Sequence, residues 1–403
     1  MKKQNVSVRW FYMAVGVIAM LFAGVLYAWS ILKSPLGVEF GWSPSGLALC
    51  FTIAMTFFCI GGLLGAQISK GAGHTVALVT AGVFSALGFV TTAFLNNVPI
   101  GVLYITYGVL AGLGIGIAYN VVIATVSAWF PDKKGLCSGC LMMGFGASAL
   151  VLGNVADGMF KSSVGWRNTY IILGIAIFVV LAVAGIVLKK PGADTGLPEV
   201  KAKKQEASRV QELTTKQMLL KPSFWMAFIC ISFLAAVGSS VISFAKDMSL
   251  SVGAPESLAV SLVGVLSVCN GMGRILTGAV FDVIGRRKTM ICANLLTILA
   301  AGVTLLAVYI GSLPLCIAGL CLTGMSYGSC PTITAAFTSS FFGMKHFSNN
   351  MAIMTFTVMV GSFIATASNK VLEISGGYPA TFVMLLVLTF VALALNLFIG
   401  NEE

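Results

Sequence analysis

The sequence predicts an all-α membrane protein with twelve transmembrane helices in two six-helix halves. Three observations predict it. Of 403 residues, 58% are hydrophobic and only 9% charged, against about 25% charged in a soluble domain. Apolar stretches of about 20 residues recur from end to end, each long enough to carry a helix across roughly 30 Å of hydrocarbon. One long polar segment, 189–221, divides these stretches into two sets. Backbone polar groups left unpaired in lipid are too costly for any open structure, so the stretches must be helices. A β-barrel would alternate at period two, and no such alternation is present.

The first expected span, 9–32, carries the run Tyr27-Ala28-Trp29-Ser30 near its end, with Lys33 just beyond. It is too long for a signal peptide, and eleven more spans follow it. Spans 44–68 and 74–95 meet at the segment GAQISKGAGH, 65–74. Span 99–129 holds Gly112, Gly114, Gly116 and Tyr119. The glycines have no preceding strand, so they suit close helix packing and not a nucleotide loop. Span 135–160 opens with Cys137 and Cys140 and ends near Asp157, and span 167–188 completes the first half. The second half comprises 222–246, 257–281 with Asn270 and Arg274, 288–309, 312–341 with Gly324, Tyr327 and Gly328, 347–370 and 376–399. The expected domains are therefore an N-terminal six-helix half, 1–188, a cytoplasmic linker, 189–221, and a C-terminal six-helix half, 222–403.

Net charge is +11. In a soluble chain this would suggest nucleic acid, but here the basic residues sort by loop. With the N-terminus in the cytoplasm, the inner loops hold eighteen Lys and Arg and the outer ones five. That asymmetry places both termini inside. The linker alone has eight basic and four acidic residues. Ten cysteines are scattered through apolar spans, and the CxxC at Cys137 and Cys140 has no second pair nearby. A zinc site needs four ligands, so neither a metal nor another cofactor is expected. The two histidines, His74 and His346, fall near loops.

The halves read as a diverged duplication. At an offset of about 212, Gly112 and Gly116 recur as Gly324 and Gly328, and Ser127, Phe130 and Lys133 recur as Ser339, Phe342 and Lys345. At 213, Gly65 and Ala66 recur as Gly278 and Ala279. The pattern resembles the parallel repeats of the major facilitator superfamily, which implies a transporter with substrate near mid-membrane between the halves. The segment GAVFDVIGRRK, 278–288, resembles that superfamily's signature between helices 8 and 9. The resemblance implies a gate latch. Gly278 permits close helix approach, Asp282 caps or pairs at the cytoplasmic rim, Gly285 belongs to the same motif, and Arg286, Arg287 and Lys288 anchor the loop. The first-half copy has Ser69 where the Asp is expected.

The halves differ most at Arg274, whose counterpart is Gly61. A charge at mid-bilayer costs roughly 2.5–3.5 kcal/mol on insertion scales, and such residues are usually functional. By position in the sequence, no Asp or Glu lies at matching depth: Asp157, Asp247 and Asp282 fall near span ends, and Glu39, Glu256 and Glu373 at outer loops or rims. The missing anion is read as the substrate. Asn270, one turn earlier, shares the arginine's face. Tyr119 maps to position 331, one turn from Tyr327, and each tyrosine offers an apolar ring with one hydroxyl. Arginine grips a planar carboxylate with two bonds. Lys33 is either an interfacial lysine reaching to water or an outer attractor for anions.

At YAWS, AWFPDKKGL (128–136), KPSFWM (221–226), AKD (245–247) and NGMGR (270–274), the whole chain resembles the oxalate/formate antiporter family, and it is similar to the wider monocarboxylate transporters. The resemblance implies roles for the span-8 Arg274 and for Lys33, and the expected substrate-binding set is Arg274, Asn270, Tyr119, Tyr327, Lys33, Tyr27 and Trp29. The family's oxalate carriers use a second cation in span 11, where this chain has Met359 and Val360. A dianion would keep one charge uncompensated. The expected cargo is therefore a monocarboxylate of lactate, pyruvate, formate or glycolate type, with oxalate/formate exchange as the alternative. Asp157 is the best acid for a coupled proton. A non-enzymatic monomer is expected, in contact with lipid and not with nucleic acid, multi-pass in a bacterial inner (plasma) membrane.

Overall fold

The structure, a computed structural model, describes residues 8–130, 134–191, 212–343 and 346–399. Every regular element among them is helical. Contacts divide the chain into two compact units, Met1–Lys203 and Lys204–Glu403. Most of the expected linker, 192–211, lies outside the described residues.

Unit 1 contains α1 (Val8–Phe40), α2 (Pro44–Gly71), α3 (His74–Ala93), α4 (Gly101–Ser127), α5 (Lys134–Lys161) and α6 (Gly165–Val187). Residues with no bulk set the helix crossings. A Cβ on Gly116 of α4 would run into the carbonyl of Phe58 on α2, and one on Gly24 of α1 into the carbonyl of Phe145 on α5. Two helices depart from α geometry. Within α1 the stretch Gly24–Ala28 is a 3₁₀ turn, and within α4 Tyr104–Ala111 is π-helical. Both irregularities recur in proteins where helices serve a site. Side chains cap the ends: His74 Nε2 lies 2.6 Å from the Leu188 carbonyl, and Trp129 Nε1 donates to the Lys189 carbonyl at 2.6 Å. At the other end, Arg167 binds Glu39 and donates to the carbonyls of Ala93 and Leu95 at 2.9 and 2.8 Å. These bonds satisfy carbonyls that helix ends leave open.

Unit 2 begins with a short capped helix, Thr215–Leu219. Its approach is docked: Leu213 N donates to the Phe342 carbonyl at 3.1 Å, and Asn350 Nδ2 donates to the Leu213 carbonyl at 3.0 Å. Then come α7 (Pro222–Ser251), α8 (Glu256–Ile284), α9 (Arg286–Ile310) and α10 (Leu313–Phe342). A short helix, Phe347–Met354, precedes α11 (Phe356–Ser375), and α12 (Tyr378–Phe398) closes the unit.

Among the described residues, eleven helices are long and apolar enough to cross a membrane. The eleventh expected span, 347–370, is instead interrupted at Thr355 and continues to Ser375. Its polarity explains the difference. Ser362, Ser368 and Asn369 are buried against neighbouring helices, where their hydrogen bonds are made inside the protein.

Candidate functional site

Arg274 lies on α8 with 8% of its surface exposed, and Asn270 on the same helix with 1%. The i,i+4 spacing places them side by side, and Arg274 Nε donates to Asn270 Oδ1 at 3.4 Å. This bond uses the amide oxygen, while Asn270 Nδ2 is buried without a hydrogen-bond partner. An unsatisfied buried donor is costly, by about 1–3 kcal/mol, and marks a place where a partner belongs. From α10, Thr332 Oγ1 donates to the Arg274 carbonyl at 3.3 Å. The two helices meet through glycine. A Cβ on Gly328 would collide with the Asn270 carbonyl, and one on Gly273 with the Met325 carbonyl. Tyr327, next to Gly328, is buried, and its ring fills the space that a Cβ on Gly238 of α7 would take. Ser239 Oγ donates to the Tyr327 hydroxyl at 3.5 Å. Arg274 and Asn270 are thus joined on α8 and held against α10, while Tyr327 of α10 packs its ring against α7 and accepts from Ser239. Sequence reasoning missed Ser239 and Thr332, because isolated hydroxyls in apolar spans carry no signal of their own.

In unit 1 the expected residues separate into two settings. Tyr119 is half-buried, with its ring 5.1 Å from Phe58 and 5.2 Å from Phe145. Tyr27 stands edge-on to Phe145 at 5.1 Å. The four rings form an aromatic cluster from α1, α2, α4 and α5, of which Phe58 and Phe145 were not legible. Trp29 belongs to the packing of the unit instead. It is fully buried, its indole donates to the Leu47 carbonyl at 3.0 Å, and its ring lies 4.5 Å from that of Tyr107. Lys33 is buried, at 5% exposure, and not at an open interface. Asp157 accepts from Lys161 Nζ at 2.7 Å, an i,i+4 ion pair at the end of α5.

The signature segment differs from expectation at Gly278. An added Cβ there would meet only the Thr332 methyl at 3.9 Å, an ordinary contact. The close approach lies earlier, at Gly273. Gly285 adopts φ 76°, a conformation suited to glycine, and makes the one-residue turn from α8 to α9. Arg287 is exposed. The side chains of Asp282 and Arg286 lie outside the described residues.

The family model described as Major Facilitator Superfamily matches residues 11–269 and 228–403. The chain belongs to the major facilitator superfamily. This superfamily member is 26% identical to the oxalate:formate antiporter of Oxalobacter formigenes over 97% of its own length and 91% of that protein's. It is 25% identical to human monocarboxylate transporter 12 over 80% of its own length and 66% of that protein's. Among solved structures, a D-xylose–proton symporter matches with a TM-score of 0.72 at 17% identity, covering 96% of each chain. A bacterial homolog of the human lysosomal transporter Spinster matches with the same TM-score of 0.72 at 14% identity, covering 98% of each. The expected fold and family are borne out: this is a superfamily transporter and not an enzyme.

If the amide of Asn270 serves the arginine's ligand, Asn270→Ala removes a donor and leaves the charge. The expected result is about a tenfold rise in the half-saturation concentration for substrate uptake, the effect of a bond worth about 1.5 kcal/mol. Uptake titrations against the native protein check it.

Proposed function

We propose that this superfamily member is a secondary active transporter of small organic monocarboxylates of lactate, pyruvate or formate type, working by alternating access. The observation that carries this reading is the buried pairing of Arg274 with Asn270, whose amide nitrogen has no hydrogen-bond partner. A guanidinium and an adjacent N–H donor together match a carboxylate, which accepts several hydrogen bonds in one plane. Tyr327, whose neighbour Gly328 meets the Asn270 carbonyl, is proposed to add a ring and a hydroxyl. The family resemblance adds Tyr27 and Tyr119 of unit 1 to the proposed set, and within that unit their rings pack with Phe58 and Phe145. Lys33 supplies a further buried cation.

Similarity to a monocarboxylate transporter supports the substrate class. Similarity to an oxalate:formate antiporter supports a second reading, exchange of oxalate for formate. The absence of any basic residue from 355–363 favours a monoanion over a dianion, because a second buried negative charge would lack compensation. The basic loops favour cytoplasmic termini in a bacterial inner membrane. The same reading assigns a coupled proton to Asp157 and leaves 189–221 as the linker between a 1–188 half and a 222–403 half.

Counterflow in proteoliposomes tests the reading. Internal lactate is expected to draw in labelled lactate or pyruvate. Labelled oxalate drawn in by internal formate, with no response to a pH gradient, overturns the monocarboxylate assignment. Uptake of neither class overturns both.

A further inference from the structure

Lys246 is a buried cation that the proposed site leaves unused. It follows Phe244 on α7, where the chain leaves helical geometry at φ −131° and ψ 15°. Its side chain is 5% exposed, and its Nζ donates to Glu256 Oε1 at 3.3 Å. Glu256 is the first residue of α8, the helix that carries Arg274, and its side chain is 52% exposed. The pair is unequal. The ammonium is enclosed by packing and requires an anionic partner, since an uncompensated buried charge is strongly destabilising. The carboxylate keeps half its surface toward solvent, so it can leave for water at small cost. Lys246 therefore has a partner that another carboxylate can replace.

The same arrangement is written twice in the chain. Ser30-Ile31-Leu32-Lys33 and Ser243-Phe244-Ala245-Lys246 stand 213 residues apart, the offset that maps Gly65 onto Gly278. In each case the lysine is buried and its helix is irregular nearby, through the 3₁₀ turn Gly24–Ala28 in one and the break at Phe244 in the other. In each case a buried polar atom near the serine has no hydrogen-bond partner: Ser30 Oγ itself in unit 1, and in unit 2 Oδ1 of Asn369, whose Nδ2 donates to Ser243 Oγ at 2.8 Å. An open acceptor beside Ser243 suits a water or the hydroxyl of a 2-hydroxy acid. A lone lysine with a chance carboxylate would show neither the repetition nor the unused polar capacity.

We propose that Lys246 is a second anion-binding position in unit 2, at the end of α7 far from the linker, where an arriving carboxylate replaces Glu256 before it reaches Arg274. The inference rests on the carboxylate reading of Arg274. Exchange of one carboxylate for another keeps the ammonium compensated throughout, so the buried charge never stands bare. Glu256 then acts as a built-in competitor that sets the concentration at which the position fills.

Initial-rate uptake of labelled lactate into proteoliposomes, measured over a range of concentrations, tests this in three variants. Glu256→Gln removes the competitor and keeps the cation. Its half-saturation concentration is expected to fall about threefold or more, the scale of a partly exposed ion pair. Lys246→Gln is expected to raise it by at least a similar factor. The double variant should match Lys246→Gln, because the competition requires the Lys246 ammonium. Half-saturation values unchanged in both single variants overturn the proposal, as does recovery of native kinetics in the double variant, which would leave a structural ion pair only. Should Lys246→Gln not fold, Glu256→Gln decides alone, and an unchanged or raised value overturns the proposal. If the native protein moves no monocarboxylate, the parent reading of Arg274 fails instead.

Discussion

Arg274→Ala is expected to reduce lactate and pyruvate uptake about a hundredfold or more, because deleting one partner of a buried charge pair costs about 3–5 kcal/mol. The substitution removes the positive charge on α8 and leaves Asn270 Oδ1 without the donor it accepts from. Arg274→Lys should fall between native and alanine. It keeps the charge but loses the planar fork that holds both carboxylate oxygens, so its defect belongs mainly in the half-saturation concentration. Monodisperse protein in detergent separates loss of binding from loss of fold. Full uptake by either variant removes Arg274 from the site.

Gly328→Val is expected to produce the second large effect, a loss of about 1–3 kcal/mol or more from overpacking. An added Cβ would overlap the Asn270 carbonyl, its carbonyl carbon at 2.9 Å and its Oδ1 at 3.1 Å. Backbone atoms give way less readily than a flexible side chain, so α8 and α10 must separate. Gly116→Val is the matched control, since its Cβ would strike the Phe58 carbonyl in unit 1. Both variants should show lowered thermal stability. Carboxylates should stabilise Gly116→Val in a thermal-shift assay but not Gly328→Val, where Asn270 is displaced. Equal stabilisation of both would show that the crossing at Gly328 does not position the ligand-binding amide.

The repeat offset of 212 found the glycines at 112, 116, 324 and 328 before any coordinates did, because glycine pairs on helices answer to a local need for backbone contact. The same reasoning placed the close approach at Gly278, where the structure shows ordinary spacing and puts the contact at Gly273. A motif marks that a glycine is present and leaves open which neighbour it meets. Trp29 shows a similar gap. Its run, YAWS, resembles a family motif, yet its indole is committed to the Leu47 carbonyl.

Hydropathy and loop charge were enough to read a helical membrane protein of two similar halves, because the bilayer acts on every residue through length and polarity alone. Arg274 and Asn270 were legible for the same reason: a charge in an apolar span stands out, and its i+4 neighbour follows from helical geometry. The remaining features depended on contacts distant in sequence. That Asn270 keeps a donor unpartnered, that Phe58 and Phe145 close around Tyr119, and that Lys246 rests on a half-exposed glutamate all follow from which helix packs against which. Period and composition describe one helix at a time, whereas hydrogen-bond satisfaction and burial belong to several helices together, and only their packing decides them.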